Sequence, residues 1–128
     1  MKEASGNTIV LDSGIWIEII RGTEKGRQAV KFLENKDFTT TAVSVAEVER
    51  AMIRAGEENK IDKLREYFDA GGCINLTREI AELSARLSLK QKIHMADALI
   101  YACARINNYI LYTTDPDFEG VEGVLILK

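Results

Sequence analysis

The sequence predicts an α/β fold in which helices cover both faces of a mostly parallel sheet. Short β-branched or apolar runs alternate along the chain with longer stretches of helical periodicity. Strands that are separated by helices need crossover connections, and these connections place the strands parallel. The 128 residues contain no repeat or low-complexity linker, so we expect a single domain over residues 1–128.

Five strands and six helices are predicted, with two helices after each of the first three strands and a final strand after the fourth. The strands are expected at residues 8–11, 38–41, 73–76, 110–112 and 124–127. The helices are expected at residues 15–21, 24–34, 44–56, 59–70 and 95–106, and a further helix with Thr77 as its N-cap is expected to carry Ile80, Leu83 and Leu87. Val30 and Leu33 are predicted to anchor the second helix in the core.

The composition is that of a soluble globular protein, with a formal net charge of -3. This charge counts mildly against a nucleic-acid partner, although acids gathered in one site would lower the total without making the outer surface acidic.

Cys73 and Cys103 form no C-x-x-C pair and are predicted to pack as small core residues. Residues 1–7 are polar, and no apolar run approaches the roughly 18 residues of a membrane span. We therefore expect a cytoplasmic protein.

Two aspartates follow predicted strands. Asp12 comes directly after the first strand, and Asp115 lies just past the strand at residues 110–112. The carboxyl ends of parallel strands meet at one edge of the sheet, where ligands bind in such folds. Each aspartate also has a local explanation, because Asp12 can cap the following helix and Asp115 can form a turn with Pro116.

Glu47 has two interpretations. Ser44 and Glu47 fit the S-x-x-E capping box, in which the glutamate binds the backbone of the cap residue. On the helical wheel, however, Glu47 lies beside Arg50 and Arg54 and away from the apolar stripe, so it could instead face a cleft. The local pattern alone slightly favours the cap.

Asp97 is the most informative acid. Within residues 95–106 the charged residues are Asp97 and Arg105, and apolar side chains occupy nearly every side of this helix. A carboxylate on a buried helix is costly unless it is paired or bound to a cation. The alternative is that Asp97 only complements the helix dipole from the first turn.

These acids favour divalent-metal chemistry if folding brings them together. Two carboxylates about 4 Å apart repel by roughly 4 kcal/mol at an effective dielectric near 20, so they stay ionised together only beside cations. Oxygen ligands suit Mg²⁺ or Mn²⁺, and paired hard ions are used for phosphodiester cleavage. His94 is the only histidine, which disfavours a Ser-His-Asp triad, and no phosphate-loop or dinucleotide fingerprint is present.

Four segments in order resemble the motifs of PIN domains, most closely those of VapC-type toxins. They are VLDSGIWIE at 10–18, SVAEV at 44–48, ADALIYACA at 96–104 and YTTDPDF at 112–118. The resemblance implies a three-layer α/β/α fold and a Mg²⁺- or Mn²⁺-dependent endoribonuclease that acts on RNA. It implies catalytic and metal-binding roles for the family's acids, which match Asp12, Glu47, Asp97 and Asp115.

The resemblance also implies supporting residues and partners. Asp117 matches an additional acid of related chains, Ser13 keeps the hydroxyl that follows the first acid, and Thr113 matches a hydroxyl that holds an acid or a water. VapC-type proteins commonly form homodimers and are inhibited by a cognate VapB-type antitoxin. One departure is Gly14, where the family often has a hydroxyl or amide side chain.

The expected function is that of a toxin of a toxin–antitoxin pair, and two alternatives stay open. One is a housekeeping PIN nuclease in RNA maturation or decay, and the other is an inactive PIN-like binding module whose acids serve as caps and turns. RNA contacts would fall to a few basic side chains: Arg50, Arg54, Lys90, Lys92 and Arg105.

Overall fold

A computed structural model describes residues 8–128, and the polar segment 1–7 lies outside the described residues. Five parallel strands form one sheet in the order β3-β2-β1-β4-β5. The strands are β1 Ile9–Leu11, β2 Phe38–Thr41, β3 Cys73–Ile74, β4 Ile110–Thr113 and β5 Val124–Ile126. The predicted parallel sheet is therefore confirmed, with every described strand pair parallel.

Six α-helices connect these strands. They are α1 Ser13–Arg21, α2 Glu24–Leu33, α3 Ala42–Arg54, α4 Ile61–Gly71, α5 Arg78–Gln91 and α6 Met95–Ile106. Short 3₁₀ turns precede α4 and follow β4, at Glu58–Lys60 and Pro116–Phe118. Thr77 caps α5 as predicted, with its side chain accepting a hydrogen bond from the N–H of Ile80. No helix of residues 8–128 is long and apolar enough to cross a membrane.

The core has two halves, one on each face of the sheet. Successive strand residues point to opposite faces, so Ile9 and Leu11 enter one half and Val10 enters the other. The first half packs α1, α3 and α4 through Trp16, Met52 and other apolar side chains. The second half packs α6, and α5 lies against α6 on the outside. This arrangement confirms the three-layer α/β/α fold.

The start of α3 differs from the prediction. The helix begins at Ala42, and the side chain of its N-cap Thr41 accepts a 3.0 Å hydrogen bond from the N–H of Ser44. Ser44 is therefore the third helical residue rather than the cap, and its buried hydroxyl lies 3.0 Å from the Thr41 hydroxyl. The capping-box interpretation of Glu47 is wrong, because Glu47 lies one turn too far along the helix to reach the cap.

Two predicted core residues are exposed. The side chain of Val30 is 49% exposed on the outer side of α2. Cys73 is also exposed, because β3 is only two residues long and lies at the edge of the sheet. Cys103 is buried as predicted. Helical periodicity and residue type identify apolar positions, but they do not reveal which ones another element covers.

Candidate functional site

Asp12 lies at the carboxyl edge of the sheet, between β1 and α1. It is 6% exposed and caps α1, with Oδ1 accepting a 2.8 Å hydrogen bond from the N–H of Ser13. Its Oδ2 accepts a 2.7 Å hydrogen bond from the hydroxyl of Thr113, at the end of the neighbouring strand β4. Burial raises the pKa of Asp12, and the hydrogen bonds from Thr113 and Ser13 oppose that rise. The Asp12 carboxylate thus caps α1 and is also held in place by Thr113 of β4.

Thr113 connects the first and last acids of the set. Its Oγ1 donates to Asp12 and accepts a 3.1 Å hydrogen bond from the N–H of Asp115. Asp115 in turn accepts a 2.9 Å hydrogen bond at Oδ1 from the N–H of Asp117, so the predicted turn exists. The Asp117 side chain points into solvent. The turn does not exclude a further role for Asp115, because its second oxygen has no hydrogen-bond partner among residues 8–128.

Glu47 is half-buried on α3, on the side of the helix that faces Asp12. Burial raises its pKa, the nearby hydroxyl of Ser13 opposes this rise, and the negative charge of Asp12 adds to it. Val48 and Met52 are buried on the apolar side of the same helix. The predicted helical wheel is therefore confirmed, and it directs Glu47 toward the end of β1.

Asp97 is an acid whose ionisation is strongly disfavoured. It lies in the first turn of α6, whose buried residues are Ala98 and five more between positions 100 and 104. Burial, followed by the negative charges of Asp12, Asp115 and Glu47, raises the pKa of Asp97 to about 6. The opposing effect of His94 is smaller. Three other carboxylates are therefore close enough to disfavour its ionised form.

These interactions bring together acids from four separate parts of the chain: Asp12, Glu47, Asp97 and Asp115. Asp97 interacts with the other three, and Asp12 also interacts with Asp115 and Glu47. Within residues 8–128, however, no three His, Cys, Asp or Glu side chains already stand as close as ligands of one ion. Uncompensated carboxylates repel one another, so we expect the side chains to close only around a cation.

Comparison with known proteins assigns the family. The PIN domain model matches residues 9–124, which include all four acids. The chain belongs to the PIN domain family. A search of curated proteins found no match. The family predicted from the four motifs is therefore confirmed.

Solved structures with the same fold include toxins of the VapC type. A toxin–antitoxin complex from Klebsiella pneumoniae contains a chain that is 25% identical to this one, with a TM-score of 0.82. The match covers 94% of this chain and 98% of that chain. VapBC2 from Rickettsia felis, bound to a promoter DNA fragment, is 19% identical with a TM-score of 0.73, and the match covers 93% of this chain and 96% of that chain. VapC20 of Mycobacterium tuberculosis, a toxin that cleaves the sarcin-ricin loop, is 14% identical at TM-score 0.73, covering 91% and 96%. Together these matches show that the chain shares its fold with toxins of toxin–antitoxin systems.

Thr40 and Thr41, which were not among the predicted site residues, hold the backbone segments that carry two of the acids in this PIN domain. Thr40 is fully buried, accepts a 3.0 Å hydrogen bond from the Trp16 indole, and donates a 3.4 Å bond to the carbonyl of Leu11. Leu11 directly precedes Asp12, so this chain of bonds holds the backbone that carries the first acid. The neighbouring Thr41 starts the helix that carries Glu47. In the sequence, the feature that could have indicated this role is the run of three threonines at the end of a predicted strand.

The basic side chains of the PIN domain do not all accompany the acids. Arg50 and Arg54 are exposed on α3, one and two turns beyond Glu47, and neither forms an ion pair with any of residues 8–128. Lys90 and Lys92 are exposed near the end of α5. Arg105 lies instead at the far end of α6 from Asp97, 3.7 Å from Glu122 and beside the amino end of β5. The structure therefore separates Arg105 from the acids.

Proposed function

We propose that this PIN domain is a Mg²⁺- or Mn²⁺-dependent endoribonuclease and the toxin of a toxin–antitoxin pair. The observation that carries the proposal is the convergence of four acids at the carboxyl edge of the sheet, where Thr113 joins Asp12 to Asp115, and where Asp97 and Glu47 interact with Asp12. Carboxylates in such an arrangement disfavour one another's ionised form, and a bound cation offsets the repulsion between them. Perturbed carboxylates gathered at the carboxyl edge of a parallel sheet are typical of a catalytic site rather than of a structural ion-pair network.

The donor set fits hard divalent ions. It consists of carboxylate oxygens, with hydroxyls behind them and no cysteine, which suits Mg²⁺ or Mn²⁺ better than Zn²⁺. We assign Asp12, Asp97 and Asp115 to one ion, and Glu47 to holding or bridging a second. When bound, such ions lower the pKa of a coordinated water and stabilise charge on the oxygens of a phosphodiester under attack.

The protein residues have separate tasks in this proposal. Thr113 and the backbone of Ser13 orient the two oxygens of Asp12, so that this ligand is fixed before any ion arrives. The Ser13 hydroxyl interacts with the Glu47 carboxylate and favours its ionised form. Asp117 is the additional acid at the rim, since its side chain is exposed in the turn that Asp115 closes.

RNA binding is assigned to exposed cations on the acid side of the molecule. Arg50 and Arg54 extend from the same side of α3 as Glu47, and Lys92 ends α5 shortly before Asp97. Phosphate contacts of this kind supply affinity without reading sequence. Arg105, which the sequence analysis included, has no part in this assignment because of its position near β5.

Partners are proposed from the neighbours and from one apolar groove. The similar structures from Klebsiella pneumoniae and Rickettsia felis are toxin–antitoxin assemblies. In this chain, a groove of about 280 Å³ between α1, α2 and α4 is lined by apolar side chains that include Trp16, Val30 and Tyr67. Exposed apolar surface of this kind fits a protein partner. We propose that a VapB-type antitoxin covers it and that the toxin is a cytoplasmic homodimer.

The test combines metal binding with RNA cleavage. We expect Mn²⁺ to give a saturable calorimetric titration and to support cleavage of single-stranded RNA, with both lost in excess chelator. Asp97→Asn should reduce cleavage by at least 100-fold. Asp69→Asn, an exposed aspartate on α4, is the matched control and should cleave normally. Cleavage that persists in Asp97→Asn and in chelator would refute the mechanism.

The same experiment separates the alternatives. A binding module without a metal site would give no saturable heat and no thermal stabilisation by Mn²⁺. A housekeeping nuclease would cleave RNA but would form no complex with the product of a small reading frame directly upstream of its gene. A toxin is expected to co-purify with that product and to lose its activity in the complex.

A further inference from the structure

The first turn of α1 and the loop after β4 meet at Gly14 and Thr114. A β-carbon built on Gly14 would lie 2.5 Å from Thr114 Oγ1, a distance that real β-carbons do not adopt. Gly14 has no positive φ, so its backbone does not require glycine. Glycine is unfavourable inside a helix. The residue is therefore explained by space, because the Thr114 hydroxyl occupies the position that a side chain would need.

Thr114 lies along the chain between two residues of the acidic site, and its hydroxyl is not used by the described part of the fold. The side chain is only partly buried, and its hydroxyl makes no hydrogen bond with any of residues 8–128. On either side along the chain, Thr113 donates to Asp12, and Asp115 interacts electrostatically with Asp97. The Thr114 hydroxyl therefore lies against the first turn of α1, two residues after Asp12, without a partner among residues 8–128, and it is available to a ligand.

We propose that Thr114 contacts the substrate through the hydroxyl that occupies the space beside Gly14. This inference rests on the proposed nuclease function and assigns a further residue to it. The hydroxyl donates a hydrogen bond to a phosphate oxygen of the bound RNA, next to the acids that hold the metal. Gly14 and Thr114 then form a matched pair, in which the small residue keeps the hydroxyl in place.

The steric half of the proposal is tested by a double-mutant cycle in thermal unfolding, which needs no activity. Gly14→Ala alone should lower Tm, because the new methyl group collides with a β-branched side chain of limited rotamer freedom. In a Thr114→Ala background the same Gly14→Ala change should raise Tm, because alanine favours helix and now has room. An equal change in both backgrounds would overturn the pairing.

The functional half is tested by RNA cleavage in Mn²⁺ with the full chain. Thr114→Val keeps the shape and removes the hydroxyl, and it should raise KM for RNA about 10-fold, the equivalent of one hydrogen bond of about 1.4 kcal/mol. Thr114→Ser restores the hydroxyl and should restore KM. Mn²⁺ affinity and Tm should stay at the wild-type level in Thr114→Ser. A merely structural role would instead change Tm and leave KM unaltered.

The outcomes distinguish this inference from the function on which it rests. If the wild-type protein cleaves RNA and Thr114→Val has an unchanged KM, the substrate contact is refuted and the nuclease stands. If the wild-type protein neither binds Mn²⁺ nor cleaves RNA, the nuclease and the contact both fail. In that case the reversal in Tm would still report on the steric pair.

Discussion

The pKa of Asp97 responds to the other carboxylates of the site. Its pKa is raised to about 6 by burial and by three neighbouring acids, whereas the unfolded chain has the ordinary value of 3.8. The folded state therefore binds the proton more tightly than the unfolded state. In the metal-free protein, stability is highest below pH 4 with respect to this group and falls as pH rises from about 4 to 6.

Replacing Asp97 by Asn should therefore stabilise the metal-free protein at neutral pH. We expect a gain of about 1–3 kcal/mol in the free energy of unfolding at pH 8, which shrinks to nothing near pH 4. Urea unfolding in chelator at several pH values measures it. Asp69→Asn should show no such pH-dependent gain. Equal stability of Asp97→Asn and the wild type at pH 8 would show that the acids do not repel one another.

Thr113 is predicted to hold Asp12 through its hydroxyl. Thr113→Val should lower the free energy of unfolding by about 1–3 kcal/mol, because it leaves a buried carboxylate oxygen without its donor. It should also weaken Mn²⁺ binding about 10-fold or more, because the ligand loses its orientation. Thr113→Ser keeps the hydroxyl and should behave as wild type. Unfolding in urea and calorimetric titration test both effects.

At the scale of single elements, α3 shows how a local motif can mislead. The S-x-x-E pattern at Ser44 predicted a cap, but Thr41 begins the helix three residues earlier. Both residues are suitable N-caps by type, so the local pattern could not choose between them. The choice is made by β2, because its pairing with β3 continues the strand to Thr41, opposite Ile74. This shift frees Glu47 for the acidic site.

The corrected cap leads to opposite expectations for Thr41 and Glu47. Thr41→Ala should lower the free energy of unfolding by about 1 kcal/mol and also weaken Mn²⁺ binding, since α3 carries Glu47. Glu47→Gln should not destabilise the metal-free protein at pH 7, because the raised pKa shows that its charge is disfavoured. Thr77→Ala, at the N-cap of α5, is the control that should cost stability without affecting the metal. A capping box would make Glu47→Gln destabilising instead.

At the scale of the whole molecule, distribution of charge matters more than its sum. The net charge of -3 includes the four acids that the fold gathers at one edge of the sheet. Cations that neutralise these acids would leave the surroundings of the site more positive, where Arg50 and Arg54 are exposed and unpaired among the described residues. An acidic total is therefore compatible with an RNA partner.

Removing Arg50 and Arg54 together should weaken RNA binding in a salt-dependent way. If each contacts one phosphate of a single strand, the slope of log K against log salt should fall in magnitude by about 1.4. Binding titrations of single-stranded RNA at several salt concentrations measure this slope. Arg78→Ala, which removes an exposed arginine paired with Glu82, is the control and should leave the slope unchanged. An unchanged slope in the double variant would exclude both arginines from the interface.

The sequence by itself determined the fold class, the order of the elements and the choice of four candidate acids for the site. Residue periodicity, caps and strand punctuation are local properties, so the predicted elements agree with the structure to within a few residues. Only the tertiary structure decided which local role each polar residue takes. The bond from Thr113 to Asp12 joins residues 101 positions apart, and Arg105 proved to lie near β5 rather than near the acids. Contacts of this kind depend on sheet order and helix packing, which no short window of sequence contains.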